Sequence, residues 1–242
     1  MLLNRKFVSE VGLKEALPAE TYLKRLPAVR FLERGNGLRF DSGVTFFVGE
    51  NGSGKSTLLE AIAVARGFNP EGGGLGLRSH HFSTADTHSE LHRYLRIARG
   101  FSNPKNGWFL RAESFYNDLS YLDEAWETSS HHACSHGESF LARIGEFRGN
   151  GLFLLDEPEA ALSPMRLMDL MCRMRELERE NSQFVIATHS PMLMAFPGAK
   201  IFYFSENGIE EKTFRDTPHY QLTRRFLESP EKMFRELFGE LF

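Results

Sequence analysis

Residues 45–57 read Thr-Phe-Phe-Val-Gly-Glu-Asn-Gly-Ser-Gly-Lys-Ser-Thr, and no other stretch restricts the folding options of the chain so tightly. An apolar run stops at Gly49, a glycine-rich turn follows, and an apolar-periodic segment (Leu58, Leu59, Ile62, Ala63) comes next. The spacing of Gly49 to Gly54-Lys55-Ser56 fits G-x-x-x-x-G-K-[ST], which calls for a buried strand feeding a tight turn that opens a helix. In that geometry the N–H groups of the turn and of the first helical residues converge on one point, and the helix N-terminus favours negative charge there. Gly49, Gly52 and Gly54 let the backbone wrap closely around a phosphate, Lys55 adds a point charge, and Ser56 offers a hydroxyl to Mg²⁺. Glu50, Asn51, Ser53 and Thr57 complete the expected phosphate-binding stretch.

The rest of the chain supplies the sheet that such a turn needs. Leu152-Phe153-Leu154-Leu155 and Phe184-Val185-Ile186-Ala187 are continuous apolar runs, the pattern of strands buried on both faces of a parallel sheet. The pattern predicts helices over 56–66, 165–180 and 220–242, and strands at 108–111 and 201–204. Short apolar runs at 29–32, 38–40 and 44–48, separated by Gly-Asn-Gly and Asp-Ser-Gly, predict successive strands, an antiparallel β region before the turn. A helical period over 89–99 with Arg93, Arg96 and Arg99 on one side, and another over 116–127, predict a helical subdomain inserted at 79–135. The glycine-rich 71–77 reads as a loop. At 242 residues one domain, 1–242, holds all of this. The fold class expected is α/β, with a mainly parallel sheet flanked by helices, and ligands in such sheets lie beyond the carboxyl ends of the strands. Three candidate groups fall there: the turn after Val48, Asp156-Glu157 after Leu155, and His189 after Thr188.

A net charge of −3 gives no basic field that would argue for nucleic acid. Two cysteines exclude a disulfide framework and a four-thiolate metal site. There is neither a signal-peptide pattern nor a run long enough to span a bilayer, so the expectation is a cytoplasmic protein without membrane insertion.

The order of the phosphate turn, Ser135-His136-Gly137-Glu138 at a helix start, Asp156-Glu157-Pro158 after an apolar strand, Ala161-Leu162-Ser163, and His189 after the next strand resembles the ABC-type ATPase superfamily of P-loop proteins. The length, the Ser-His-Gly-Glu form and the tail around Tyr220–Phe226 are similar to small stand-alone bacterial ATPases distantly related to the heads of DNA-repair ATPases. The resemblance implies an ATPase that hydrolyses ATP to ADP and phosphate where two chains pack head to tail. It implies Asp156 with Ser56 for Mg²⁺, Glu157 as general base, and His189 as a sensor of the γ-phosphate. Ser135, His136, Gly137 and Glu138 would face the nucleotide held by the second copy, with Ala161–Ser163 at the seam. Ser135 with Glu138 is also a capping box in its own right.

Two departures matter. Transporter-type members carry a glutamine between turn and signature that reaches Mg²⁺; here Gln183 and Gln221 are the only glutamines, and Glu113, just past the strand at 108–111, takes the expected place. His136 and Glu138 replace the usual signature residues. Two alternatives stay open on these grounds: an ATP-gated clamp or regulator acting on DNA or on a partner effector such as a nuclease, and the energising subunit of a membrane transporter.

Overall fold

The computed structural model of the chain describes residues 6–75, 89–111 and 144–239. From the N-terminus come β1 (Glu10–Leu13), a 3-10 turn at Tyr22–Arg25, α1 (Pro27–Glu33), β2 (Leu38–Arg39) and β3 (Val44–Gly49). After the turn follow α2 (Lys55–Ala65), β4 (Gly73–Gly74), a 3-10 turn at Glu90–Arg93, β5 (Leu95–Ala98) and β6 (Asn106–Leu110). The C-terminal half adds β7 (Gly151–Asp156), α3 (Pro164–Arg179), β8 (Gln183–Ala187), α4 (Pro191–Met194), the strands β9 (Lys200–Ser205) and β10 (Gly208–Lys212), and the helices α5 (Pro218–Glu228) and α6 (Pro230–Phe238).

A seven-stranded sheet runs in the order β10-β9-β3-β8-β7-β6-β4. Its centre, β9-β3-β8-β7-β6, is parallel, and only the edge strands β10 and β4 are antiparallel to their neighbours. The period of two along each strand sorts side chains between two cores. Val44, Phe46 and Val48 join Phe153, Leu155 and Ile186 beneath Leu167, Leu170, Met174 and Leu177 of α3. Phe47 joins Leu154, Val185 and Ala187 under Leu58, Leu59 and Ile62 of α2. With helices on both faces, strands that are apolar at every position are the expected consequence.

A second, three-stranded antiparallel sheet, β2-β1-β5, packs on the core that lies under α2. Of the strands expected before the turn only 38–40 contributes to it, as β2; 44–48 is β3 of the large sheet, and the other two strands are β1 and β5. The buried Gln183 amide stitches the small sheet to the large one: the Val8 N–H donates to Oε1 at 2.9 Å, and Nε2 donates to the Val8 carbonyl at 2.8 Å.

Four expectations give way. Residues 29–32 lie in α1, not in a strand: Pro27 takes the first helical position, where its missing N–H costs nothing, and Ala28, Val29 and Leu32 turn one face inward. Residues 89–99 form a 3-10 turn and β5, because pairing with β1 across Glu10–Leu13 outweighs helical propensity. Arg93, Arg96 and Arg99 therefore share no helix face, and Arg96 meets Glu10 at 3.1 Å. Within the glycine-rich 71–77, Gly73–Gly74 pairs with β6 as an edge strand. The tail is two helices, broken at Ser229-Pro230. Of the helical subdomain expected at 79–135, residues 79–88 and 112–135 lie outside the described residues. Among the described residues no helix is long and apolar enough to cross a membrane.

Candidate functional site

β8 lies between β3 and β7, so the ends of three adjacent parallel strands bring the phosphate turn, the acids and His189 to one edge of the sheet. The ladder continues past the strands: the Thr188 N–H donates to the Phe47 carbonyl at 3.0 Å and the Glu157 N–H to the Ala187 carbonyl at 2.9 Å. The backbone that carries both groups is thereby fixed.

The turn has the conformation its glycines permit. Gly49, Gly52 and Gly54 have φ of +147°, +78° and +96°. A Cβ on Gly49 would sit 2.1 Å from the Phe204 carbonyl oxygen of β9, so only glycine lets β3 end against that strand. Ser53 closes the loop on Glu50, its hydroxyl donating to the Glu50 carbonyl at 2.8 Å, and its own carbonyl accepts from the Ala28 N–H of α1 at 3.3 Å. The N-terminus of α2 has no side-chain cap. Its first N–H groups therefore stand as donors for an anion, which is the fit a nucleotide phosphate requires.

Lys55 is 4% exposed and its ammonium donates to the carbonyls of Gly49 and Glu50, at 2.8 Å each. Burial lowers its pKa, while Glu157, Asp156, Glu159 and Glu50 oppose the shift. The Ser56 hydroxyl donates to Asp156 Oδ1 at 2.9 Å. Burial pushes Asp156 up to about 6, against the Ser56 hydrogen bond that favours its ionised form. An exposed hydroxyl and a buried carboxylate in contact form a hard-oxygen donor pair of the kind Mg²⁺ takes while keeping most of its waters. These two residues fit the metal. Among the described residues no group of three or more acidic, histidine or cysteine side chains could hold an ion by itself.

Glu157 adopts a left-handed conformation, φ +46° and ψ +52°, rare for a residue with a Cβ. It turns the chain out of β7 at the cost of about 1 kcal/mol or more. Its Oε1 stands 3.6 Å from His189 Nε2, and Glu50, Asn51, Glu157, His189 and His219 line one open cleft beside the phosphate turn.

Residues 28–123 match a family model described as an AAA domain, and residues 80–195 match a second, described as "AAA domain, putative AbiEii toxin, Type IV TA system". Together they extend from before the phosphate turn to beyond His189. With the phosphate turn, these two matches mark a P-loop ATPase. Solved structures similar to this ATPase include cbiO1 from Clostridium perfringens, part of the ABC transporter complex cbiONQ, at 17% identity over 81% of this chain and 88% of that one, with a TM-score of 0.43. Another is an ATP-binding cassette of an ABC transporter in its ADP conformation, at 17% identity over 85% and 91% of the two chains, with a TM-score of 0.39. No curated protein matches the chain.

Two residues that contact His189 or the loop bearing it were not among the sequence candidates. Glu159, in the 3-10 turn Pro158–Ala161, accepts at Oε1 from the Thr188 hydroxyl at 2.7 Å and from the backbone N–H groups of His189 at 2.6 Å and Ser190 at 3.1 Å. One carboxylate oxygen thus ties the loop bearing His189 to the segment bearing Glu157. The only sequence signal was a third acid close to the Asp-Glu pair. His219, in the first turn of α5, reaches His189 from 30 residues away, and nothing local to its sequence marks it. Glu113, Ser135, His136, Gly137 and Glu138 lie outside the described residues.

Proposed function

We propose that this ATPase hydrolyses ATP with Mg²⁺ at the seam of a head-to-tail homodimer. The observation that carries the reading is the convergence at one sheet edge of an uncapped helix N-terminus, the Ser56–Asp156 contact at 2.9 Å and the Glu157–His189 approach at 3.6 Å. In this reading the amides of Gly49–Thr57 hold the β- and γ-phosphates, and Lys55 exchanges its two carbonyl partners for phosphate oxygens. Ser56 and Asp156 would hold Mg²⁺, which when bound neutralises charge developing on the phosphates. Glu157 accepts a proton from the attacking water as the water oxygen bonds to the γ-phosphorus and the bond to the leaving ADP oxygen breaks. His189 donates a hydrogen bond from Nε2 to a γ-phosphate oxygen. Ser135, His136, Gly137 and Glu138 of a second copy close the pocket, and Glu113 is the proposed further Mg²⁺ contact. Support for the seam comes from Met165 and Met168, which stand exposed on α3 just past Ala161–Ser163.

A second reading, an ATP-gated regulator of a partner protein, rests on the exposed Leu222, Leu227, Leu237 and Phe238 of α5 and α6. Glu157→Gln tests the first reading. The variant should bind ATP, hydrolyse it about 10²–10⁴-fold more slowly, and accumulate as a dimer in size-exclusion chromatography with light scattering. A variant that stays monomeric with ATP and turns over at the parental rate would refute both the base and the seam.

A further inference from the structure

His219, paired with His189, has no part in ATP hydrolysis as described above. His189 Nδ1 and His219 Nε2 are 3.3 Å apart, with rings inclined at 48°. His219 is itself held. Thr217, fully buried, caps α5 by accepting the Tyr220 N–H and donates its hydroxyl to the Phe214 carbonyl at 2.8 Å. On its far side the His219 ring meets Tyr203 of β9 edge to face, centroids 6.5 Å apart. His189 Nε2 and His219 Nδ1 are buried with no hydrogen-bond partner among the described residues.

Burial, with the Lys55 charge nearby, lowers the pKa of His189, and burial with His189 as neighbour lowers that of His219, so both rings favour the neutral form. A neutral imidazole has one N–H and one lone pair, and the short contact requires one ring to donate to the other. If His189 Nδ1 donated, its Nε2 would turn a lone pair toward the Glu157 carboxylate at 3.6 Å, and toward any phosphate beyond it. The reverse arrangement places an N–H there.

We propose that His219 is a positioning residue: its Nε2–H donates to Nδ1 of His189 and holds His189 in the Nε2–H tautomer, aimed into the cleft as a hydrogen-bond donor. The first turn of α5 thereby belongs to the nucleotide site. The proposal rests on the reading of His189 as the γ-phosphate contact. In serine proteases a buried carboxylate does the corresponding work for its histidine, and the wrong tautomer there costs about 10⁴ in kcat.

The test combines ¹⁵N NMR of the imidazoles in the nucleotide-free protein with ATPase kinetics of two variants. In the parent, His189 should show a protonated Nε2 and a bare Nδ1. His219→Leu should move His189 toward the Nδ1–H form and lower kcat at least about tenfold, with KM changed far less. His219→Gln, whose side-chain N–H can occupy the place of Nε2, should recover most of both. A parent His189 protonated at Nδ1, a His219→Leu variant with unchanged tautomer and kcat, or a His219→Gln variant no better than leucine would each overturn the proposal. If His219→Leu fails to fold, the parent spectrum and the glutamine variant still decide. A His189→Ala variant with parental kcat would overturn the sensor role instead and leave the tautomer measurement intact.

Discussion

The edge of the sheet that carries Lys55, Asp156 and His189 and the C-terminal hairpin α5–α6 use apolar residues in opposite ways. At the sheet edge every strand beneath the site is covered on both faces, Lys55 is buried against two backbone carbonyls, and Ser56 is hydrogen-bonded to Asp156. In the hairpin no residue is buried. Its two helices meet through the Phe226–Phe234 ring contact and the Arg225–Glu236 ion pair, while Phe234–Phe238 and Arg224–Glu228 pair within single helices, and exposed ion pairs of this kind add little. The site is therefore rigid because its surroundings leave no alternative, while the hairpin is anchored to the core at one end, through Thr217 and His219.

The most drastic way to break this contrast is at Gly49. Alanine there would put a Cβ 2.1 Å from a backbone carbonyl of β9, at a φ of +147°. Neither β3 nor β9 can retreat from a sheet packed on both sides, so Gly49→Ala should cost roughly 3 kcal/mol or more. Urea denaturation of the variant should show a far lower midpoint or no cooperative transition. A parental midpoint would mean that the phosphate end is more compliant than its packing implies.

Lys55→Ala should act on binding rather than on folding. The ammonium gives charge-assisted hydrogen bonds worth about 1.5–3 kcal/mol to a bound phosphate, so calorimetry should report ATP affinity about tenfold to a hundredfold weaker. Affinity equal to the parent's would end the assignment of Gly49–Thr57 as the phosphate cradle.

The same contrast explains what could be read from the sequence. The phosphate turn, β7 and β8 were readable because their constraints are local: a glycine where φ is positive, an apolar run where both faces are covered. α1 was misread because 29–32 is too short for periodicity to separate helix from strand, and Pro27 serves as a first helical residue rather than as a breaker. β5 was misread because arginines three apart imitate a helix face, whereas pairing with β1, more than eighty residues away, decides the outcome. Glu159 and His219 escaped for a related reason: each acts on His189 across about thirty residues, through contacts that exist only once β7, β8 and α5 are assembled. The site's skeleton is thus written in motifs and its orientation in tertiary packing.

The smallest expected effect is the sharpest test of the comparison, since it sets one substitution in both regions. Leu155 is 0% exposed under α3, and Leu237 is 65% exposed on α6. Leu155→Ala removes a side chain from a packed core and should cost about 2–5 kcal/mol, transfer and cavity together. Leu237→Ala removes the same atoms from water-exposed surface in a helix that alanine favours at least as well, so the expected change lies within about 0.5 kcal/mol. Urea midpoints with the denaturant slope held fixed would measure both. A loss at Leu237 approaching that at Leu155 would mean that α6 is covered in solution, and because burial by a second copy depends on mass action, that loss would grow with protein concentration. A loss independent of concentration would instead place Leu237 against its own chain and remove the contrast between the two regions.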